Sequence, residues 1–110
     1  MKSLIALYRQ AVRNMWPALI PGLPAFGDKL TPAKLDSTDR RDSISEARHI
    51  LWMLDVMEAT VDTYAGHPIA KALAAGKLNR WLGFVQGYLW RADVYSLDEL
   101  RDQTRKALNE

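Results

Sequence analysis

Residues 43–66 read SISEARHILWMLDVMEATVDTYAG, and the spacing of their apolar side chains decides the fold class. Ala47, Ile50, Leu51, Leu54, Met57, Val61 and Tyr64 recur every three or four positions. That interval lines one side of an α-helix, whereas a strand would alternate at every second residue. Ser43 and Glu46 form an S-x-x-E capping box, in which each side chain bonds the other residue's orphan backbone amide, so the helix is expected to start there. Gly66 followed by Pro68 is expected to end it, because glycine tolerates the left-handed cap and proline blocks continuation. Trp52, Met53 and Val56 widen the apolar surface beyond one stripe, so this helix should pack on two sides.

The neighbouring segments repeat the pattern. Upstream, Leu4, Ile5, Tyr8, Ala11, Val12, Met15 and Trp16 predict a first helix over about Ser3 to Met15, with Lys2, Arg9, Arg13 and Asn14 on its other side. Pro17 is expected to stop it, since proline lacks an amide and biases Trp16 away from helical angles. Residues 17–42 hold Pro17, Pro21, Pro24, Pro32, Gly22 and Gly27, the composition of an irregular connection. Six apolar anchors (Leu19, Ile20, Leu23, Phe26, Leu30, Leu35) favour an arm wrapped on the fold over a solvated linker. Downstream, residues 68–92 predict a third helix with Gly76 as a break or kink. Its latter part, Leu78 to Trp90, is apolar nearly all round, which suits the middle of a bundle or a contact shared between subunits. Gly83 and Gly87, four apart, leave bare backbone on one face; with Trp90 they are the expected contacts of a close helix crossing, within the fold or in a homodimer. Ser96 and Glu99 form a second capping box, opening a last helix whose seam is Leu97, Leu100, Thr104 and Leu108. The reading is one all-α domain over 1–110, a small bundle of about four helices with a long Pro/Gly-rich connection after the first.

A chain of 110 residues, 48% hydrophobic and 25% charged, has the size and balance of one folded domain and excludes a mostly disordered tail. With no cysteine, a disulfide scaffold, a thiolate metal site and a cysteine nucleophile are excluded. Arg9 and Arg13 interrupt the apolar N-terminal run, so it does not read as a signal peptide, and no stretch approaches the ~18 uncharged apolar residues of a membrane span. A soluble, cytoplasmic protein is the expectation.

Charge is uneven along the chain. Residues 43–66 carry four acids and one base, while residues 67–92 carry four bases (Lys71, Lys77, Arg80, Arg91) and no acid. Complementary helices within the fold account for this; alternatively the four bases are a partner-binding face for nucleic acid or an acidic protein. Ala72, Gly76, Leu82 and Val85 match the spacing of a helix-turn-helix, but the recognition helix would then turn Trp81, Phe84 and Tyr88 outward in place of base-reading polar residues. Glu46 and His49 share a helical face, as metal-binding bundles require, yet no second such pair exists, and a hydrogen-bonded structural histidine is the simpler role. Asp55 with Glu58, and Glu99 with Asp102, place carboxylates one turn apart, as Mg²⁺-dependent all-α nucleotide pyrophosphatases do. Solvated helix faces explain the same residues. No nucleophile motif and no phosphate-binding glycine loop is present, and no catalytic residue, cofactor or metal ligand is assigned.

Arg80-Trp81-Leu82-Gly83-Phe84-Val85-Gln86-Gly87, with Val94-Tyr95-Ser96-Leu97-Asp98-Glu99-Leu100-Arg101 and the upstream Glu46-Ala47-Arg48-His49-Ile50-Leu51-Trp52-Met53, resembles small accessory proteins of bacteriophages and prophages. The resemblance covers the C-terminal two-thirds and consists of packing motifs. It implies an accessory product acting in the infected bacterial cytoplasm by binding, and inhibiting, a host protein or protein–nucleic-acid complex such as a defence system. A nucleic-acid-binding regulatory module is the alternative, and a Mg²⁺-dependent nucleotide hydrolase using Asp55 and Glu58 the third reading.

Overall fold

The computed structural model describes residues 1–19, 30–36, 38 and 42–108. It contains four helices, α1 (Lys2–Leu19), α2 (Ser43–Tyr64), α3 (Pro68–Arg91) and α4 (Leu97–Leu108), and no strand among the described residues. The all-α reading is thus correct. No helix among the described residues is long and apolar enough to cross a membrane.

Helix α2 is the middle element, packed on α1 along one side and α3 along the other, while α4 lies against α1. Ala47, Ile50, Leu51, Met53, Leu54 and Met57 of α2 are buried. They meet Leu4, Ile5, Tyr8, Ala11 and Val12 of α1, with Leu82, Val85 and Leu89 of α3 and Leu100 of α4 completing one continuous core. Burial of that apolar surface is the main term favouring the fold. Of the two places the sequence allowed α3, the middle of the bundle or a contact shared between subunits, the structure argues against the first: only three α3 residues are buried, and Phe84 and Trp90 lie exposed. Val61 and Tyr64, expected in the α2 stripe, are half-buried and exposed.

Three boundaries also differ from expectation. Helix α1 continues through Pro17 to Leu19; so near the end, a missing amide removes one backbone bond and leaves the rest of the turn intact. The α2 cap is Asp42, one residue before the Ser43 box, its carboxylate accepting from the Ser45 amide at 2.7 Å. That amide holds the Asp42 carboxyl below its ordinary value, because only the ionised form is a pure acceptor. Helix α3 runs unbroken through Gly76, so the turn a helix-turn-helix needs there does not form. Two boundaries agree. Gly66 takes φ of +80° between α2 and α3, and Ser96 and Glu99 cap α4 reciprocally at 3.1 Å each way. Asp93, with φ of 61°, turns the chain from α3 to α4, helped by the Val94 amide donating to the Leu89 carbonyl at 3.0 Å.

Of the expected arm, Leu30 is buried in the core and Leu35 half-buried. Ile20, Leu23 and Phe26, like the Leu19 side chain, lie outside the described residues. Residues 30–36 are tied to the start of α2: Ala33 donates to the Arg48 carbonyl at 3.1 Å, and the Arg48 guanidinium donates to the Thr31 carbonyl at 3.0 Å. The Leu35 amide donates to His49 Nδ1 at 3.0 Å.

That last bond makes pH a variable. An Nδ1 that accepts must be unprotonated, and burial, with Lys34 adding repulsion, holds the His49 imidazolium pKa below its ordinary 6.5. Glu46, the carboxylate lining the same pocket, and Arg91 are the other charges facing it. The unfolded chain therefore takes up this proton first on acidification. The stabilisation is fully present above about 6.5 and is lost as pH falls from there toward the lower folded-state value. Amide exchange at Leu35 should accelerate through that window, and His49→Gln should flatten the response. A Leu35 amide equally protected at pH 7 and pH 5 would refute the coupling.

Candidate partner-binding face

Chemistry-bearing side chains are engaged inside the fold. Arg9 of α1 reaches both carboxylates once considered for Mg²⁺, donating to Asp55 at 2.9 Å and Glu58 at 3.0 Å. Lys2 pairs with Asp62 nearer the α2 C-terminus, so complementary charge runs along the antiparallel α1–α2 contact. A guanidinium seated on both carboxylates occupies the positions that a magnesium ion would take. The second carboxylate pair is also committed: Glu99 caps its own helix, and Asp102 lies 3.6 Å from Arg105. His49 accepts from the arm and stacks on Trp52, their rings 5.4 Å apart, the structural role expected of it. Among the described residues no group of three or more His, Asp or Glu side chains could hold a metal ion.

Helix α3 is different. Among the described residues its four bases make no ion pair. Lys77 lies over the Trp81 ring, 4.7 Å from its centre. The four do not form one patch. Lys71 and Arg91 are about 30 Å apart along the axis, and Lys71 and Arg80 lie on opposite sides of the helix, since 3.6 residues make a turn. The expected basic face therefore reduces to Lys77, Arg80 and Arg91, while Lys71 stands apart.

The unpartnered surface is apolar as well as basic. Ile69 is 80% exposed, Leu73 81%, Phe84 60%, Trp90 52% and Leu97, at the start of α4, 51%. Ile69, Leu73, Gly76, Arg80, Gly83, Gly87 and Trp90 follow one another at alternating steps of four and three. That is the interval at which one helix presents a seam to another. The row lies on the side of α3 opposite Leu82, Val85 and Leu89, which face the core. Lone exposed apolar residues are ordinary on a protein surface, whereas a row of them on one helix marks an interaction surface.

Among the described residues no helix crosses α3 at Gly83 and Gly87. A Cβ on either would meet nothing within 4 Å. They floor an open groove of about 490 Å³ between α3 and α4, with Trp90 and Leu97 at its apolar end and Arg101 and Arg105 along its α4 wall. Polar bonds beneath it set its width: Gln86 donates to the Tyr8 hydroxyl at 3.0 Å and to Thr104 at 2.8 Å, and Tyr8 donates to Gln103 at 2.9 Å. Sequence reasoning found Gly83, Gly87 and Trp90 but missed Ile69, Leu73, Arg101 and Arg105. The four–three spacing of the row was the signal available for the first two. No protein-family model, curated protein or solved structure matches the chain.

Proposed function

We propose that this protein is a non-catalytic binding module that occupies a partner protein through the outer face of α3 and the adjoining groove. The observation that carries the reading is the exposed row of Ile69, Leu73 and Trp90, with Phe84 also exposed on another side, on a helix whose bases have no acidic partner among the described residues. Support also comes from Arg9, whose guanidinium pairs with both Asp55 and Glu58. The likeness of residues 46–53, 80–87 and 94–101 to phage accessory proteins makes a bacterial host protein, or a protein–nucleic-acid complex it would inhibit, the first partner to seek.

The test is a tagged pull-down from bacterial lysate, with and without nuclease, comparing the natural chain with Leu73→Glu. Leu73 is exposed, so the substitution leaves the core intact. A protein retained after nuclease by the natural chain and lost by Leu73→Glu is the expected result. Equal retention by both chains, or none by either, would overturn the proposal. Retention abolished by nuclease would favour the second reading, nucleic-acid binding through Lys77, Arg80 and Arg91, for which the absence of any acid in residues 67–92 speaks.

A further inference from the structure

We infer that the partner element lying along α3 is a single acidic, amphipathic helix, its large apolar side chains seated over Gly83 and Gly87. This rests on the protein-binding reading above and names the chemistry of the occupant. Three independent features lead to it.

The first is shape. The row from Ile69 to Trp90 rises about 32 Å at 1.5 Å per residue, and its alternating spacing follows a helix rather than an extended strand. Large side chains at the N-terminal end give way to bare backbone at Gly83 and Gly87, where a Cβ would meet nothing within 4 Å. A complementary helix therefore carries small residues opposite Ile69 and Leu73 and large apolar ones opposite the glycines. The groove volume of about 490 Å³ falls within the range that buries a ligand of several side chains.

The second is charge. Among the described residues Arg101 and Arg105 are the only charged ones lining the groove, and Arg80 sits in the middle of the α3 row. The two α4 arginines have only exposed neighbours on their own helix, Asp98 at 3.5 Å and Asp102 at 3.6 Å. Such exposed pairs are weak and exchange readily for a partner's carboxylates. Elsewhere in the fold the opposite arrangement holds, with the acids of α2 meeting Lys2 and Arg9 of α1. Among the described residues the bases of α3 are the ones without an acidic complement.

The third feature decides between occupants. A second copy laid antiparallel on the same row would set Arg80 opposite Arg80, at the middle of the contact. Like charges so placed are destabilising, which argues against the homodimer through Gly83 and Gly87. A phosphate backbone would satisfy the arginines but would leave Ile69, Leu73 and Leu97 without apolar contacts.

Three labelled peptides of about 21 residues, the length that matches the row, test this on the full chain by fluorescence anisotropy. One carries alanine at the four–three positions that meet Ile69 and Leu73 and leucine at those that meet Gly83 and Gly87, flanked by glutamate; the second replaces the glutamates with lysine; the third replaces the leucines with alanine. The first should bind at least about tenfold more tightly than either control, and added salt should weaken it. Gly87→Leu fills open space and leaves α3 at least as helical, so a chain with an unchanged melting curve should lose at least about tenfold in affinity. Arg101→Glu with Arg105→Glu should reverse the preference between acidic and basic peptides. Equal binding of all three peptides, tighter binding of a DNA oligonucleotide of matching length, or sedimentation as a dimer would each overturn the inference. If a lysate protein is retained in a Leu73-dependent way yet the acidic peptide does not bind, the binding module stands and the helical acidic occupant fails. If Leu73→Glu changes nothing in the lysate, the broader reading fails first.

Discussion

Replacing Leu54 with alanine is expected to destabilise the protein by about 3 kcal/mol, within the 2–5 kcal/mol typical of a buried leucine reduced to alanine. Leu54 is fully buried on α2, between the helices packed on either side. Truncation removes the transfer free energy of its side chain and leaves a cavity that rigid neighbouring helices close only in part. Domains of this size have only about 5–15 kcal/mol of stability in total, so a melting temperature lower by about 12–24 °C is expected. Leu73→Ala is the matched control on α3: the same chemical change at an exposed position should alter stability by less than about 0.5 kcal/mol. Urea unfolding of the two variants measures the difference directly. Equal losses would mean that the outer face of α3 around Leu73 is buried in the folded protein.

That contrast shows where sequence reasoning reaches and where it stops. Ser96 and Glu99 are legible because a reciprocal cap is a local event decided within four residues, and Gly66 because its left-handed backbone needs no distant partner. The α2 start slips by one residue because Asp42 is the stronger acceptor and takes the cap from Ser43. Helix α3 is the instructive failure. Apolar residues all round a helix require that its faces be covered, but the pattern does not say by what. Leu82, Val85 and Leu89 are covered by the fold, whereas Ile69, Leu73 and Phe84 are not. Of the residues that make Leu78 to Trp90 apolar nearly all round, Phe84 and Trp90 are the large ones left exposed. Similarly, Asp55 and Glu58 read as a metal pair only until Arg9, far away in sequence, is brought onto them. Charge pairing across helices depends on register, which no local spacing reveals.

Register also makes Tyr8 the residue whose loss should most specifically free one element. Its ring is fully buried and lies 6.1 Å from that of Tyr95, and burial raises the pKa of its hydroxyl. That hydroxyl accepts from Gln86 of α3 and donates to Gln103 of α4, so one side chain of α1 fixes two other helices. Tyr8→Ala removes both the ring and the junction and should cost about 3–5 kcal/mol, as for other buried aromatic truncations. Tyr8→Phe keeps the ring and should cost about 1 kcal/mol, because Gln86 retains Thr104 while Gln103 loses its donor. The loss should fall unevenly. Helix α2 has neighbours on both sides, whereas α4 rests on α1 through Leu100 and this network, so hydrogen exchange in Tyr8→Phe should quicken in α4 and hardly change in α2. Since α4 is one wall of the groove, the same variant should weaken acidic-helix binding without altering any residue that lines it. Uniform loss of protection across all four helices would instead mean that α4 unfolds only with the whole, and that the groove keeps its width for as long as the core holds.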